Sequence, residues 1–333
     1  MEYRQIGNTN LHVSVVGLGG NTFGPPRIDQ EQTTKNINRA LELGINFFDT
    51  AIIYTGGKSE WFVGNALKGK RDRAVIATKF AFSTRNEKTS VYDHIMACCD
   101  ESLTKLQTDY IDLYQVHIPD PNVTEEEVME PLARLVEQGK VRYLGSCNYS
   151  GWRHAQSNAV AKENGWPGMA CAQSHYNVLR RHVEMELLPY CDRFNIGFLP
   201  YFPIAGGFLS GKYRPGEPAP TGSRGAVGSG IIAQNRNARN EEILLKLEAF
   251  AKERGHSVLD LAFAWLASNK VVSSIIAGTS SEAQVELNVA AVDWKLTEDE
   301  VNEINQLAAW DGTGVLVDGH TEGTGARAAV SPK

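Results

Sequence analysis

Asn46-Phe47-Phe48-Asp49-Thr50-Ala51 is a short apolar run ending in a carboxylate, and Tyr54 follows Asp49 by five residues. Two later runs have the same build. Ala74-Val75-Ile76-Ala77-Thr78 closes on Lys79, and Ile111-Asp112-Leu113-Tyr114-Gln115-Val116 closes on His117. Polar side chains at the carboxyl ends of consecutive apolar strands are the pattern of a parallel barrel, whose βα loops form the mouth of the active site. A buried ion pair would account for two of the four residues but not for Asp49, Tyr54, Lys79 and His117 together.

Outward from these runs the chain keeps one rhythm. Further apolar runs stand at Val15-Val16-Gly17, Arg142 to Ser146, Ala170 to Ser174, Ile196 to Tyr201 and Ser273 to Gly278. Between the runs, Gln30 to Leu43, Val91 to Leu106, Thr124 to Gln138 and Ala238 to Gly255 carry apolar residues at helical spacing, with Gly44, Gly139 and Gly255 as C-terminal caps. Strands alternating with helices predict an α/β fold with a parallel sheet, here a single (β/α)8 TIM barrel. Ahead of it, Tyr3 to Ile6 and Leu11 to Val13 flank Gly7-Asn8-Thr9-Asn10, which predicts an N-terminal β-hairpin plugging the barrel floor. Residues 203 to 237, after the seventh strand, are rich in Gly, Pro, Ser and Arg and make a loop of the length used for lids. The expected division is a barrel over 1–311 and a flexible C-terminal tail over 312–333, near enough to fold over the site.

Composition narrows the function classes. Apolar residues make up 42% and charged residues 22% of the 333, as in ordinary soluble enzymes, and no apolar run reaches the length that spans a membrane. The start, Met1-Glu2-Tyr3-Arg4-Gln5, lacks the apolar centre of a secretory signal. Cys98, Cys99, Cys147, Cys171 and Cys191 are odd in number and show no metal-type or redox-type pairing, which favours reduced thiols in the cytoplasm and no metal site. A formal net charge of −6 argues against nucleic-acid binding while leaving room for a local phosphate pocket. The helical exterior of a barrel leaves a homo-oligomer open, with no face singled out.

The four strand-end residues form a proton donor. Carbonyl reduction by a hydride needs a proton on the developing alkoxide, and a free tyrosine, with a pKa of about 10, holds its proton tightly. A neighbouring ammonium favours the phenolate, and a carboxylate fixes that ammonium. These roles fall to Tyr54 as general acid, Lys79 as the group that lowers its pKa and Asp49 as the anchor, with His117 orienting the substrate oxygen. Phe23, Ile53, Phe80 and Ile118 are expected to line a partly apolar substrate pocket.

Through Asp49-Thr50-Ala51-Ile52-Ile53-Tyr54-Thr55-Gly56-Gly57-Lys58-Ser59-Glu60, Ala77-Thr78-Lys79 and His117-Ile118-Pro119-Asp120, the chain resembles the aldo-keto reductases over about residues 3 to 310. Thr22-Phe23-Gly24 and Ser210-Gly211-Lys212-Tyr213 are similar to the branch that holds bacterial sugar-type reductases and potassium-channel β subunits. The resemblance implies an NADPH-dependent reductase that binds its cofactor extended, without a Rossmann fold. Consistently, Gly17-Leu18-Gly19-Gly20-Asn21-Thr22 begins like a dinucleotide fingerprint but has Thr22 where the third glycine belongs.

The same resemblance places Gly20 and Asn21 near the nicotinamide, with Arg27 reaching the pyrophosphate. Asp49 is counted with the cofactor contacts as well. Ser146, Asn148 and Gln173 would meet the carboxamide, and Tyr201 would stack on the ring. The loop Pro203-Ile204-Ala205-Gly206-Gly207-Phe208-Leu209-Ser210-Gly211-Lys212-Tyr213 would cover the phosphates, with Pro203, Ile204, Gly206, Leu209, Ser210, Lys212 and Arg224 in contact. Phe202 departs from the family's serine before that proline. Gly278, Ser280, Gln284 and Asn288 would hold the adenosine, where Leu287 replaces a common glutamate and no basic residue lies between Gly278 and Asn288. NADPH is therefore the first expectation and NADH an alternative. Two other classes compete with the reductase. A cofactor-sensing regulatory subunit shares the barrel, but need not keep the acid-base set. A phosphate-binding barrel isomerase would want a compact glycine turn after the seventh strand and a catalytic glutamate.

Overall fold

The computed structural model describes residues 1–310 and Gly312; the tail expected over 312–333 otherwise lies outside the described residues. Its first two strands, β1 (Tyr3–Gln5) and β2 (His12–Ser14), pair antiparallel as the expected hairpin. Eight parallel strands follow: β3 (Val16–Gly19), β4 (Phe47–Asp49), β5 (Val75–Phe80), β6 (Ile111–Val116), β7 (Val141–Cys147), β8 (Met169–His175), β9 (Gly197–Tyr201) and β10 (Ile275–Gly278). Each pairs with its neighbour in sequence, and β10 pairs back onto β3 to close the barrel. Gly17-Leu18-Gly19 thus belongs to a barrel strand, not to a Rossmann turn.

Strand alternation sorts side chains between two cores. Phe47, Ala77, Leu113, Cys171, Leu199 and Ile276 point inward and pack on Ile6, Leu11 and Val13 of the hairpin region, so the lower barrel is apolar and stoppered. Phe48, Ile76, Phe80, Tyr114, Val116, Leu144, Ala172 and Phe198 point outward against the helices. Arg4 fixes the stopper by donating to the carbonyls of Ala267 at 2.6 Å, Val272 at 2.8 Å and Asn269 at 3.2 Å.

The helices begin where local chemistry starts them. Ser90 caps Val91–Leu106, and Thr124 and Ser257 each form a capping box, ahead of Glu125–Glu137 and Val258–Ser268. Gly44, Gly139 and Gly255 all adopt positive φ just beyond helix ends, the conformation that stops a helix cheaply. The long segment after β9 is not without structure. It holds a 3₁₀ turn at Ala205–Ser210 and a short helix at Gly230–Asn235.

Candidate active site

Parity carries the polar set to one end of the barrel interior. Above the apolar storey, the next inward positions are Asp49 on β4, Lys79 on β5, Gln115 on β6, Cys147 on β7, Gln173 on β8 and Tyr201 on β9. Lys79 is fully buried, and its Nζ donates to Asp49 Oδ2 at 2.6 Å, to the Thr50 carbonyl at 2.8 Å and to the Tyr54 hydroxyl at 3.3 Å. His117 meets the Tyr54 ring edge to face, with centroids 5.4 Å apart. The four residues singled out in the sequence therefore converge, three of them (Asp49, Tyr54 and His117) on the wall of a cavity of about 760 Å³.

Burial is the strongest influence on the protonation of Tyr54, Lys79 and His117. It pushes Tyr54 up to about 12, with Lys79 pulling down and Asp49 pushing up. The expected lowering by Lys79 is thus present but outweighed, because enclosure disfavours the phenolate and Asp49 offsets the ammonium. Burial also works against the Lys79 ammonium, but the Asp49 carboxylate leaves its pKa raised. His117 falls to about 3 through burial and then Lys79, so its imidazole is neutral. Its buried Nδ1 has no hydrogen-bond partner.

Most expected cofactor residues line the cavity: Asn21, Arg27, Asn148, Gln173, Tyr201, Pro203, Ile204, Gly206, Ser210, Lys212, Arg224, Gly278, Ser280, Gln284 and Asn288. Three do not. Ser146 stands on β7 between the inward Gly145 and Cys147, so alternation turns it toward the helices, and Cys147 faces the cavity instead. Leu209 is fully buried in the outer core. Gly20 packs behind the wall, where an added Cβ would sit 2.8 Å from Ser59 Oγ and 3.2 Å from the Asp49 carbonyl; only glycine lets this loop lie on β4.

Of the four expected substrate-pocket residues, only Ile118 lines the cavity. Phe23 and Phe80 belong to the outer core, Phe80 by the outward parity of β5. Ile53 is surface-exposed off the wall. Thr22, Pro26, Gly207, Ser223, Phe263 and Thr279 are among the further residues that line the cavity without having been expected as contacts. Their signal was positional only: each lies close in sequence to an expected contact or faces the loop from a helix.

The residues present fit a dinucleotide. Among the described residues no carboxylate lies within ion-pair distance of Arg27, Lys212 or Arg224, so three cations face the cavity without an acidic partner. Burial and the neighbouring Arg27 both press the Arg224 guanidinium toward neutrality, a strain that a bound anion relieves. Gly207 has φ +112°, and an added Cβ there would meet only the Lys212 side chain, which leaves bare backbone facing the cavity. Ser210 donates to the Gly207 carbonyl at 2.6 Å and braces this loop. At the inner end, Asn148 bridges Tyr201 and His117, accepting from the Tyr201 hydroxyl at 2.7 Å and donating to the His117 carbonyl at 2.9 Å.

Glu60, part of the motif that begins at Asp49, lies behind the site and is fully buried. Its Oε1 accepts from Thr78 Oγ1 at 2.6 Å, whereas its Oε2 and the nearby Ser102 Oγ and Tyr114 hydroxyl lack partners. Burial raises its pKa. A carboxyl raised in the folded state contributes stability that is full below its unfolded pKa and is lost as pH rises through the folded value. Glu60→Gln, of the same shape and without charge, should melt above the parent chain at pH 8, and the gap should close toward pH 4. A parent that melts higher at pH 8 would show that Glu60 is useful as a carboxylate.

Among the described residues no helix is long and apolar enough to cross a membrane. The sequence model of the Aldo/keto reductase family matches residues 15–309. A "Versiconal hemiacetal acetate reductase" of Aspergillus parasiticus is 31% identical, the match covering 92% of this chain and 96% of that protein. An "Uncharacterized oxidoreductase" of Bacillus subtilis is 32% identical over 92% and 96% of the two chains. A fission-yeast protein (Schizosaccharomyces pombe) named "Putative voltage-gated potassium channel subunit beta" is also 32% identical, over 92% of each. With its closed parallel barrel, its converging Asp49, Tyr54, Lys79 and His117, and a family match over most of its length, this chain belongs to the aldo/keto reductase family of oxidoreductases.

Proposed function

We propose that the chain is an NADPH-dependent reductase of aldehydes, ketones or sugar-type carbonyls, running reversibly, with Tyr54 as general acid. The observation that carries this reading is the Tyr54 hydroxyl at the cavity wall, with the Lys79–Asp49 pair 3.3 Å and 2.6 Å behind it in turn and a neutral His117 beside it. A bound nicotinamide dinucleotide would supply the hydride to the carbonyl carbon. Tyr54, protonated at neutral pH, holds the proton for the carbonyl oxygen, and an alkoxide is basic enough to take it. Lys79, fixed by Asp49, stabilises the phenolate as it forms, and the His117 imidazole can donate a hydrogen bond that aims the substrate oxygen. Tyr201, Asn148 and Gln173 would hold the nicotinamide, and Arg27, Lys212 and Arg224 the phosphates. The substrate is a small carbonyl compound, and the five buried free thiols fit a reducing, cytoplasmic setting.

A second reading, a cofactor-sensing regulatory subunit with little turnover, draws on the similarity to the fission-yeast protein. The complete acid-base set favours the enzyme. Loss of NADPH absorbance against a panel of small aldehydes, ketones and sugars separates the two, since silence across the panel selects the sensor. In the same preparation, replacing Lys212 and Arg224 by Ala should weaken NADPH about tenfold to hundredfold more than NADH, on the scale of charge-assisted hydrogen bonds. Fluorescence titration that shows equal weakening would move both cations to the pyrophosphate, and a parent chain that prefers NADH would overturn the cofactor assignment.

A further inference from the structure

Beneath the proton donor lies a glutamine that no sequence motif marks. Gln115 points into the barrel from β6, is fully buried and does not line the cavity. Its Nε2 lies 3.4 Å from Asp49 Oδ1, which also accepts from Gln173 Nε2 at 2.9 Å. Its Oε1 faces the Cys171 thiol at 3.8 Å and Gln173 Nε2 at 3.5 Å, while the Cys147 thiol faces Gln173 Oε1 at 3.5 Å.

These contacts have a direction. Both thiols are kept protonated by burial, Cys147 pushed up to about 12 and Cys171 well above the ordinary range, so each S–H donates to an amide oxygen. That fixes which end of each amide is which: both NH₂ groups turn toward Asp49. Asp49 Oδ1 then receives two amide donors while Oδ2 receives the Lys79 ammonium. A buried amide costs free energy unless its groups are paired, and Gln115 sits one storey above apolar Leu113, where a hydrophobic side chain would also fill the space. The side-chain partners of Gln115 are Asp49 itself, Gln173, which also donates to Asp49, and the Cys171 thiol.

We propose that Gln115 is a positioning residue for proton transfer, holding the Asp49 carboxylate so that Lys79 stays aimed at the Tyr54 hydroxyl. This rests on Tyr54 being the proton donor. Gln115→Met keeps length and removes the donor. It should fold, bind NADPH as the parent does and leave KM near parental, with kcat lower by about tenfold, the low end for a bond to a charged group because the contact is long.

Gln115→Glu adds the readout that packing alone would not move. The new carboxyl would face Asp49, with the Lys79 ammonium, the Tyr54 hydroxyl and the Cys147 and Cys171 thiols as the other titratable groups around it. Two adjoining carboxylates resist ionising together, so the new one keeps a proton at low pH and donates it to Asp49 in place of the amide. Activity should be near parental in acid and fall as pH rises through the new ionisation, giving a descending limb absent from both the parent and Gln115→Met. Parental kcat in folded Gln115→Met would overturn the proposal, as would a parental pH profile in folded Gln115→Glu. If Gln115→Glu does not fold, kcat of Gln115→Met decides. A parent chain without turnover on any carbonyl overturns the reductase reading and this role with it, whereas an active parent with parental variants overturns Gln115 alone.

Discussion

Tyr54→Phe is expected to bind NADPH nearly as the parent chain does and to lose carbonyl reduction by about 10²-fold to 10⁴-fold, the contribution of a positioned general acid. The substitution removes one hydroxyl and leaves the ring against His117, 5.4 Å between centroids, so the cavity keeps its shape. Single-turnover reduction at saturating cofactor isolates the chemical step from product release. A variant that turns over at the parental rate would remove Tyr54 as the acid. His117 supplies no substitute above mildly acidic pH, because an imidazole pushed down to about 3 carries no extra proton to give.

Lys79→Met should damage both chemistry and stability. Without the ammonium the nascent phenolate loses the positive charge hydrogen-bonded to it, so the single-turnover rate should fall on the scale of Tyr54→Phe. The Asp49 carboxylate, buried and 2.6 Å from Nζ in the parent, is left without a counter-ion, a loss on the order of 3–5 kcal/mol for a buried pair broken on one side. Denaturant unfolding measures the second effect. Adding Asp49→Asn to Lys79→Met should return part of the stability and none of the rate. A double variant that regains the rate would mean that Lys79 only compensates Asp49 and does not act on Tyr54.

The acid-base set was legible in the sequence because each member ends, or closely follows, an apolar run, and strand ends of a barrel meet by topology. Asp49, Lys79 and His117 needed no knowledge of side-chain direction beyond that. Ser146 shows where this fails: neighbouring strand residues face opposite ways, and a run bounded only by its apolar character does not say which of Ser146 and Cys147 looks inward. Phe80 was misplaced for the same reason, since it follows Lys79 by one position and points to the helices. Gln115 was hidden inside an apolar run, where its partners Asp49, Gln173 and Cys171 come from two other strands, β4 and β8. The raised pKa of Tyr54 was equally out of reach, since it depends on how closely the loops enclose the hydroxyl.

The stopper at the barrel floor sets a schedule for biosynthesis. Arg4 closes its three hydrogen bonds with carbonyls 263 to 268 residues farther along the chain, and β3 has no partner on one edge until β10 exists. At ribosomal speeds of about 5–20 residues per second, the first strands wait on the order of tens of seconds for the segments that will cover them. During that interval an open parallel edge and the apolar faces of Ile6, Leu11 and Val13 are available to any other unpaired strand. The nascent chain is therefore exposed to misassembly until the β10 segment is made, and chaperone occupancy around Ile6, Leu11 and Val13 is where that exposure would be met.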